Sequence, residues 1–196
     1  MELDLASRAA SPNKLPDDYI WLLPQYPRDG WLLHENMGGH TRFWLSLHRS
    51  FRQAASQVER LNEDWREGRT GDDPFRREMA ARMQHFLGAL EHHHQMEDHV
   101  FFPRFIAAEK RVERGIDLLE TDHHSIDRTI HETVVAANAL LQAPSGEEGG
   151  DMRREGEAYT AKADALTRLM RRHLDDEEEI IMPLILDRGE RALGVE

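Results

Sequence analysis

Cysteine is absent from this chain of 196 residues. Without thiols the protein has no disulfide scaffold, no thiolate zinc site and no cysteine nucleophile. At this length it can still bury a substantial hydrophobic core as one domain. The lack of cysteine fits a reducing compartment, and we therefore expect a cytoplasmic protein.

Positive charge and long apolar runs are also scarce. Lys and Arg number 25 against 37 Asp and Glu, a formal net charge of -12, so the surface repels phosphate backbones and nucleic acid is not an expected partner. The opening stretch MELDLASRAASPNK lacks the basic and apolar regions of a signal peptide. The longest apolar run, Ile180 to Leu186, contains a proline. We expect neither secretion nor membrane insertion.

Strand signals are missing as well, and most of the chain has helical periodicity. Four long helical segments are separated by breaks near residues 68–74, 109–115 and 144–151. Each segment carries an apolar stripe at alternating spacings of three and four residues, as the helices of a bundle do. We therefore predict an all-α fold, an up-down-up-down four-helix bundle over residues 36–190 with a C-terminal tail over 191–196.

The segment before the bundle, residues 1–35, has a different character. It holds four of the eight prolines and lacks a sustained helical period. Its two WLL clusters, at Trp21 and at Trp31, are too apolar for a free linker. We predict an N-terminal arm that packs on the bundle or joins two chains into a homo-oligomer.

In every helical segment a histidine interrupts the apolar stripe in phase. These inward histidines are His48, His93, His123 and His173. Two of the segments add a glutamate four residues later, at Glu97 and Glu177, and a proline six residues after that. Four residues make about one helical turn, so each His-x-x-x-Glu pair projects from one face. His92, His94, His99 and His124 fall off the stripes and are predicted to be solvated. The acidic run 175–179 is predicted to be a solvated helix face with Glu177 as its one inward member.

In an up-down-up-down bundle, two residues at equal height lie at equal distances along the chain from the turn between their helices. The midpoints between successive inward residues fall in the three breaks, so these histidines and glutamates are predicted to lie at one level of the bundle. Two carboxylates buried there without partners would cost several kcal/mol each. Divalent metal removes this cost. The sequence therefore predicts a metal site at His48, His93, Glu97, His123, His173 and Glu177.

Imidazole and carboxylate ligands suit iron, manganese or zinc. Four imidazole nitrogens and two bridging carboxylates leave coordination positions open on a pair of octahedral ions. An open, redox-capable pair favours a small diatomic ligand or a peroxide as the partner. We expect a pair of ions with an oxo or hydroxo bridge. The nitrogen-rich donor set favours two non-haem iron ions, and the choice between iron, manganese and zinc stays open from the residues alone.

The order of these six residues, with FFP after the first His-Glu pair and IMP after the second, resembles the hemerythrin-like, or HHE cation-binding, domain over roughly residues 40–188. The resemblance implies that Glu97 and Glu177 bridge two irons, with His48 and His93 on one ion. It places His123 and His173 on the other. Family members carry oxygen, sense oxygen, nitric oxide or iron, decompose peroxide, or help to repair iron centres.

The chain departs from two of these relatives. The oxygen carrier of the family has a third histidine from its third helix on one iron, whereas here Leu119 and Asp127 lie one turn either side of His123. Repair-type relatives often have an N-terminal segment that carries a cysteine.

Three functions therefore stay open. The first is a diiron protein that binds or reacts with O2, NO or peroxide, including as an oxidoreductase or peroxide-decomposing enzyme. The second is a sensor in which the state of the metal changes how the arm docks. The third is a structural zinc or manganese bundle. An absorption spectrum separates the first from the third, because oxo-bridged ferric pairs absorb in the near ultraviolet and zinc does not.

Overall fold

A computed structural model describes residues 4–10, 15–144 and 150–195. Within that part all regular structure is helical and no strand occurs, which confirms the predicted all-α class. The α-helices are α1 (Leu5–Ala9), α2 (Gly39–Arg66), α3 (Asp72–Met96), α4 (Phe102–Ala108), α5 (Glu113–Gln142), α6 (Gly150–Arg188) and α7 (Glu190–Leu193). None of the helices in these described ranges is long and apolar enough to cross a membrane.

The first two predicted breaks lie between long helices of the structure. After α2, Gly68 adopts the left-handed backbone at φ 74°, a conformation that glycine reaches without steric cost. Helix α3 then starts with two aspartates and a proline, residues that favour a helix N-terminus. Between α4 and α5 the chain is extended at Glu109 and forms a short 3₁₀ turn, Lys110–Val112. Residues 145–149 of the third break lie outside the described part.

The four long helices contact one another in a closed ring, in which α2 and α5 each pack against both α3 and α6. Trp65 at the end of α2 stacks on Phe75 at the start of α3, with ring centroids 4.9 Å apart. The same indole presses on Gly156 near the start of α6, where an added Cβ would lie 2.2 Å from the ring. Glycine at this position permits the close approach of the two helices.

Two apolar clusters fill the interior on either side of a polar level. One contains Trp44, Leu119 and Ile180. The other contains Phe51, Leu90 and, from the arm, Leu5. The six residues of the predicted site lie between these clusters along the helices that carry them, and all six are buried. Buried histidines and glutamates thus form one layer between two apolar ones.

The arm packs against the ring of helices. Leu22 and Trp31 are buried in the cluster that contains Trp44, which confirms the predicted docking at these positions. Trp21 is half-buried, and the guanidinium of Arg111 lies 4.1 Å from the centre of its ring. The leucines after Trp31 behave differently, since Leu32 is 55% and Leu33 is 91% exposed in this chain, so only Trp31 of the second WLL cluster is buried on the bundle. The boundaries of the arm and the C-terminal tail stay predictions.

Candidate metal centre

A local irregularity in the backbone positions Glu97. Residues Glu97–Phe101 form one π-helical turn, in which the Phe102 N–H donates to the carbonyl oxygen of Glu97. Pro103 follows near the start of α4 and has no N–H to continue a regular ladder. A π turn accommodates a missing backbone hydrogen bond of this kind, and such turns are frequent at functional sites. The Glu97 side chain that leaves this turn is only 1% exposed.

The four predicted histidines meet as two pairs. The Nε2 atoms of His48, from α2, and His93, from α3, lie 3.1 Å apart. The Nε2 atoms of His123, from α5, and His173, from α6, are also 3.1 Å apart. Each pair therefore presents two ring nitrogens to one small volume.

The two predicted glutamates lie between the histidine pairs. Oε1 of Glu97 is 3.1 Å from His93 Nε2, and its Oε2 is 3.7 Å from His123 Nε2. Oε2 of Glu177 is 3.4 Å from His48 Nε2 and 3.8 Å from His173 Nε2. Each carboxylate thus contacts one histidine of each pair.

These carboxylates have few hydrogen-bond partners of their own. The indole Nε1 of Trp44 donates to Glu97 Oε1 at 2.8 Å. Among the described residues, Glu97 Oε2 and both carboxylate oxygens of Glu177 have no hydrogen-bond partner. Burial and the neighbouring Glu97 carboxylate raise the pKa of Glu177 well above its usual range. Such a pair is costly unless a cation or a shared proton compensates its charge, so the donor set fits divalent metal.

His93 and His173 are in the form that binds metal. Burial lowers the pKa of His93 to about 4, and burial likewise lowers the pKa of His173 well below the usual value. Their imidazoles are therefore neutral near pH 7, and a neutral imidazole is the ligand that metals take.

Carboxylates outside the centre hold three of the imidazoles in orientation. The Nδ1 atom of His48 lies 3.1 Å from Glu178, that of His123 lies 2.7 Å from Asp98, and that of His173 lies 3.5 Å from Asp122. An ionised carboxylate only accepts hydrogen bonds, so it favours the proton on Nδ1 and leaves the Nε2 lone pair facing the centre.

The donor atoms fall into two groups that could each hold one ion. One consists of His48, His93, Glu97 and Glu177, and the other of His94, His123 and His173, with the donor atoms of each group within 4.8 Å of one another. The family model of the hemerythrin HHE cation-binding domain matches residues 40–185, most of the chain. The chain belongs to this family. Searches of curated proteins and of solved structures returned no significant match.

Membership of the hemerythrin HHE family implies metal binding, commonly of iron. The matched range contains all six residues singled out from the sequence, and the two donor groups lie inside it. The metal-binding function of this HHE domain therefore rests both on the family and on the geometry of its buried donors.

The acidic run of this HHE domain differs from the prediction. Glu177 was expected to be its one inward member, but Asp176 and Glu178 are also buried. Contacts with the arm and with α2 account for this burial, and Arg52 of α2 lies 2.7 Å from Glu178. Arg8 forms ion pairs with Asp122 and Asp176, and Arg28 reaches Glu178 at 2.5 Å. No local sequence pattern signals contacts between residues this far apart in the chain.

His94 was predicted to be solvated, and this was wrong. Its side chain is buried, at 3% exposure, and its ring stacks on His123 with centroids 4.0 Å apart. Helix α3 packs against α2 on one side and α5 on the other, so two adjacent residues both face the interior. His93 points to the α2 side and His94 to the α5 side. The other off-stripe histidines, His92, His99 and His124, are exposed as predicted.

A narrow pocket reaches the HHE centre at Glu177. Its walls are mostly apolar and include Trp44, Phe101, Ile181 and Val195. Its volume is about 10 Å³, close to the least that can hold one water molecule. Val195 belongs to the segment that was expected to be a tail, and it is buried over this pocket.

Proposed function

We propose that this protein is a non-haem diiron protein that binds or reacts with O2, NO or peroxide. The observation that carries the proposal is the buried layer in which two imidazole pairs flank two carboxylates that lack sufficient hydrogen-bond partners. The proposed metal ligands are His48, His93, Glu97, His123, His173 and Glu177.

We propose that these ligands are held by an up-down-up-down bundle. Contacts along α2 and α3 support this order, since His48 meets His93 while Trp65 meets Phe75. Contacts along α5 and α6 support it as well. Gly115, near the start of α5, lies against Ile180, near the end of α6.

The proposed division of ligands follows the contacts. His48 and His93 serve one ion, His123 and His173 serve the other, and Glu97 and Glu177 bridge them. The two oxygens of Glu97 support this assignment, because one lies nearest His93 and the other nearest His123.

A bound iron pair supplies reversible one-electron redox changes and an open coordination position. The chain supplies the neutral imidazoles of His93 and His173, a Trp44 indole that donates to Glu97, and a small apolar pocket beside Glu177. The small size of the pocket limits the entry of larger reductants. The apolar walls also limit water at the centre.

Metal analysis combined with an absorption spectrum tests the proposal. Protein purified in air from iron-replete cells is expected to hold close to two iron ions per chain and to show near-ultraviolet bands of an oxo-bridged ferric pair. His93→Ala and His173→Ala should each lower the iron content severely, whereas exposed His92→Ala should not. Tightly bound zinc without those bands, or a single ion per chain, would contradict the proposal.

A second candidate, a metal-responsive sensor, is supported by the arm. Arg28 contacts Glu178, which orients His48, and Arg8 contacts Asp122, which faces His173. Changes at the centre could therefore alter the docking of the arm. Hydrogen exchange over residues 4–10 and 15–35, compared between the metal-free and iron-loaded protein, tests this candidate. Equal exchange in both forms would exclude it.

A further inference from the structure

We propose that His94 is a seventh metal ligand, which acts on the ion held by His123 and His173. This inference rests on the proposed two-metal function and adds a donor that the six-residue pattern does not contain. It comes from the packing of α3 against α5, which brings the His94 ring to the centre.

The position of the His94 ring suits a ligand. One of its ring nitrogens lies within 4.8 Å of donor atoms of both His123 and His173. The ring is nearly parallel to that of His123, at an interplanar angle of 11°, and meets the ring of His173 edge-on at a centroid distance of 5.4 Å. The three imidazoles thus surround one common volume.

His94 also has an unmet need for a partner. Neither ring nitrogen has a hydrogen-bond partner among the described residues, although the side chain is 3% exposed. Burying an imidazole in this way costs free energy that an apolar side chain of similar size would avoid. A histidine that served packing alone would normally be hydrogen-bonded, as His48, His123 and His173 are to nearby carboxylates.

The third histidine therefore comes from α3 and not from α5. One turn either side of His123, α5 offers the apolar Leu119, which is buried, and Asp127, which is exposed. With His94 included, three histidines serve the ion at His123 and His173. Two histidines serve the ion at His48 and His93. The two ions are then inequivalent, and the loss of His94 should weaken one of them selectively.

The test compares His94→Leu with His92→Leu, a matched change at the adjacent exposed position. Each protein is loaded with iron and titrated with a chelator while the ions retained per chain are counted. In His94→Leu one of the two ions should be released at least about 100-fold more easily, since even groups that only support a ligand contribute 10–100-fold to metal affinity. His92→Leu should retain both ions as the parent does.

Cobalt(II) and thermal melts provide readouts that do not depend on activity. Cobalt-loaded His94→Leu should show shifted visible bands relative to the parent, because one nitrogen donor is lost. Its metal-free form should melt at an equal or higher temperature, and its metal-loaded form at a lower one. His94→Gln, which keeps a polar side chain, should show the same selective loss and guards against a folding defect in the leucine variant.

The inference and the proposed function fail in different ways. Two ions in the parent, combined with affinities and cobalt spectra in both His94 variants that match His92→Leu, would overturn the role of His94 alone. A parent protein that binds fewer than two ions would overturn the proposed function as well.

Discussion

The indole of Trp44 donates a hydrogen bond of 2.8 Å to Oε1 of Glu97, across the space between α2 and the π turn after α3. Trp44 therefore links the apolar pocket, which it lines, to a carboxylate that we assign as a bridge. Hydrogen bonds to charged groups contribute about 1.5–3 kcal/mol when buried. The contact orients Glu97 without blocking its second oxygen.

Trp44→Phe removes this donor and keeps an aromatic ring. We expect the variant to bind two irons but with affinity about 10–100-fold lower for at least one of them, as is typical when a ligand loses its supporting hydrogen bond. Competition with a chelator measures this. Trp21→Phe, a change in the half-buried indole of the arm, is the control. Equal affinities in both variants would show that the indole only fills space.

Glu97→Ala separates a metal ligand from a structural carboxylate. Without metal the buried Glu97 is a liability, so the variant should lose little stability or gain some in the metal-free form. In the iron-loaded form it should lose much of the stabilisation that bound metal provides. Thermal melts of both forms provide the measurement, with exposed Glu91→Ala as control. An equal loss in the two forms would mean that Glu97 has a structural role instead.

Arg8→Met tests whether the arm neutralises buried carboxylates of α5 and α6. The Arg8 guanidinium pairs with Asp122 and Asp176, and all three side chains are at most 5% exposed. Removing it leaves two buried carboxylates with less compensation, which should destabilise the protein by about 3–5 kcal/mol. Denaturant unfolding near pH 7 measures the change. The control Arg154→Met removes an arginine whose partners lie on the exposed surface of α6. A similar small effect in both would contradict a structural role for α1.

Deletion of residues 1–33 tests the arm as a whole. None of the donor atoms in the two candidate metal groups belongs to it, so iron content should stay near that of the full chain. Loss of Trp31 from the core and of Arg8 from α6 should lower the melting temperature. Azide binding should become faster as the cover over the bundle is removed. Loss of metal with the helices intact would mean that a residue within 1–33 supplies a ligand or holds one in place.

Val195→Ala tests access through the pocket at Glu177. Shortening a buried wall residue enlarges a pocket that has room for about one small molecule. Azide should therefore bind faster to the iron-loaded variant, while the iron content stays unchanged. Stopped-flow absorbance measures the rate. Val135→Ala, at an exposed position on α5, should leave the rate at its parent value. Unchanged rates in Val195→Ala would place the route of entry elsewhere.

How much of the centre was predictable depends on the distance over which each signal acts. The phase of His93 and Glu97 within one helix is a local property, and the repeat at His173 and Glu177 shows the same local pattern. Helical periodicity therefore predicted the all-α class and six buried residues, and these are close together in the structure. Their assignment as metal ligands stays a proposal.

The sequence by itself determined the main inward stripe of each helix, because side-chain direction follows from 3.6 residues per turn. Only the tertiary structure decided the rest. Burial of His94 depends on the two neighbours of α3, and the buried Asp176 and Glu178 contact arginines of the arm and of α2 that lie more than a hundred residues away in the chain. A single-helix pattern treats such positions as solvated, since it contains no information on which other segment will cover them.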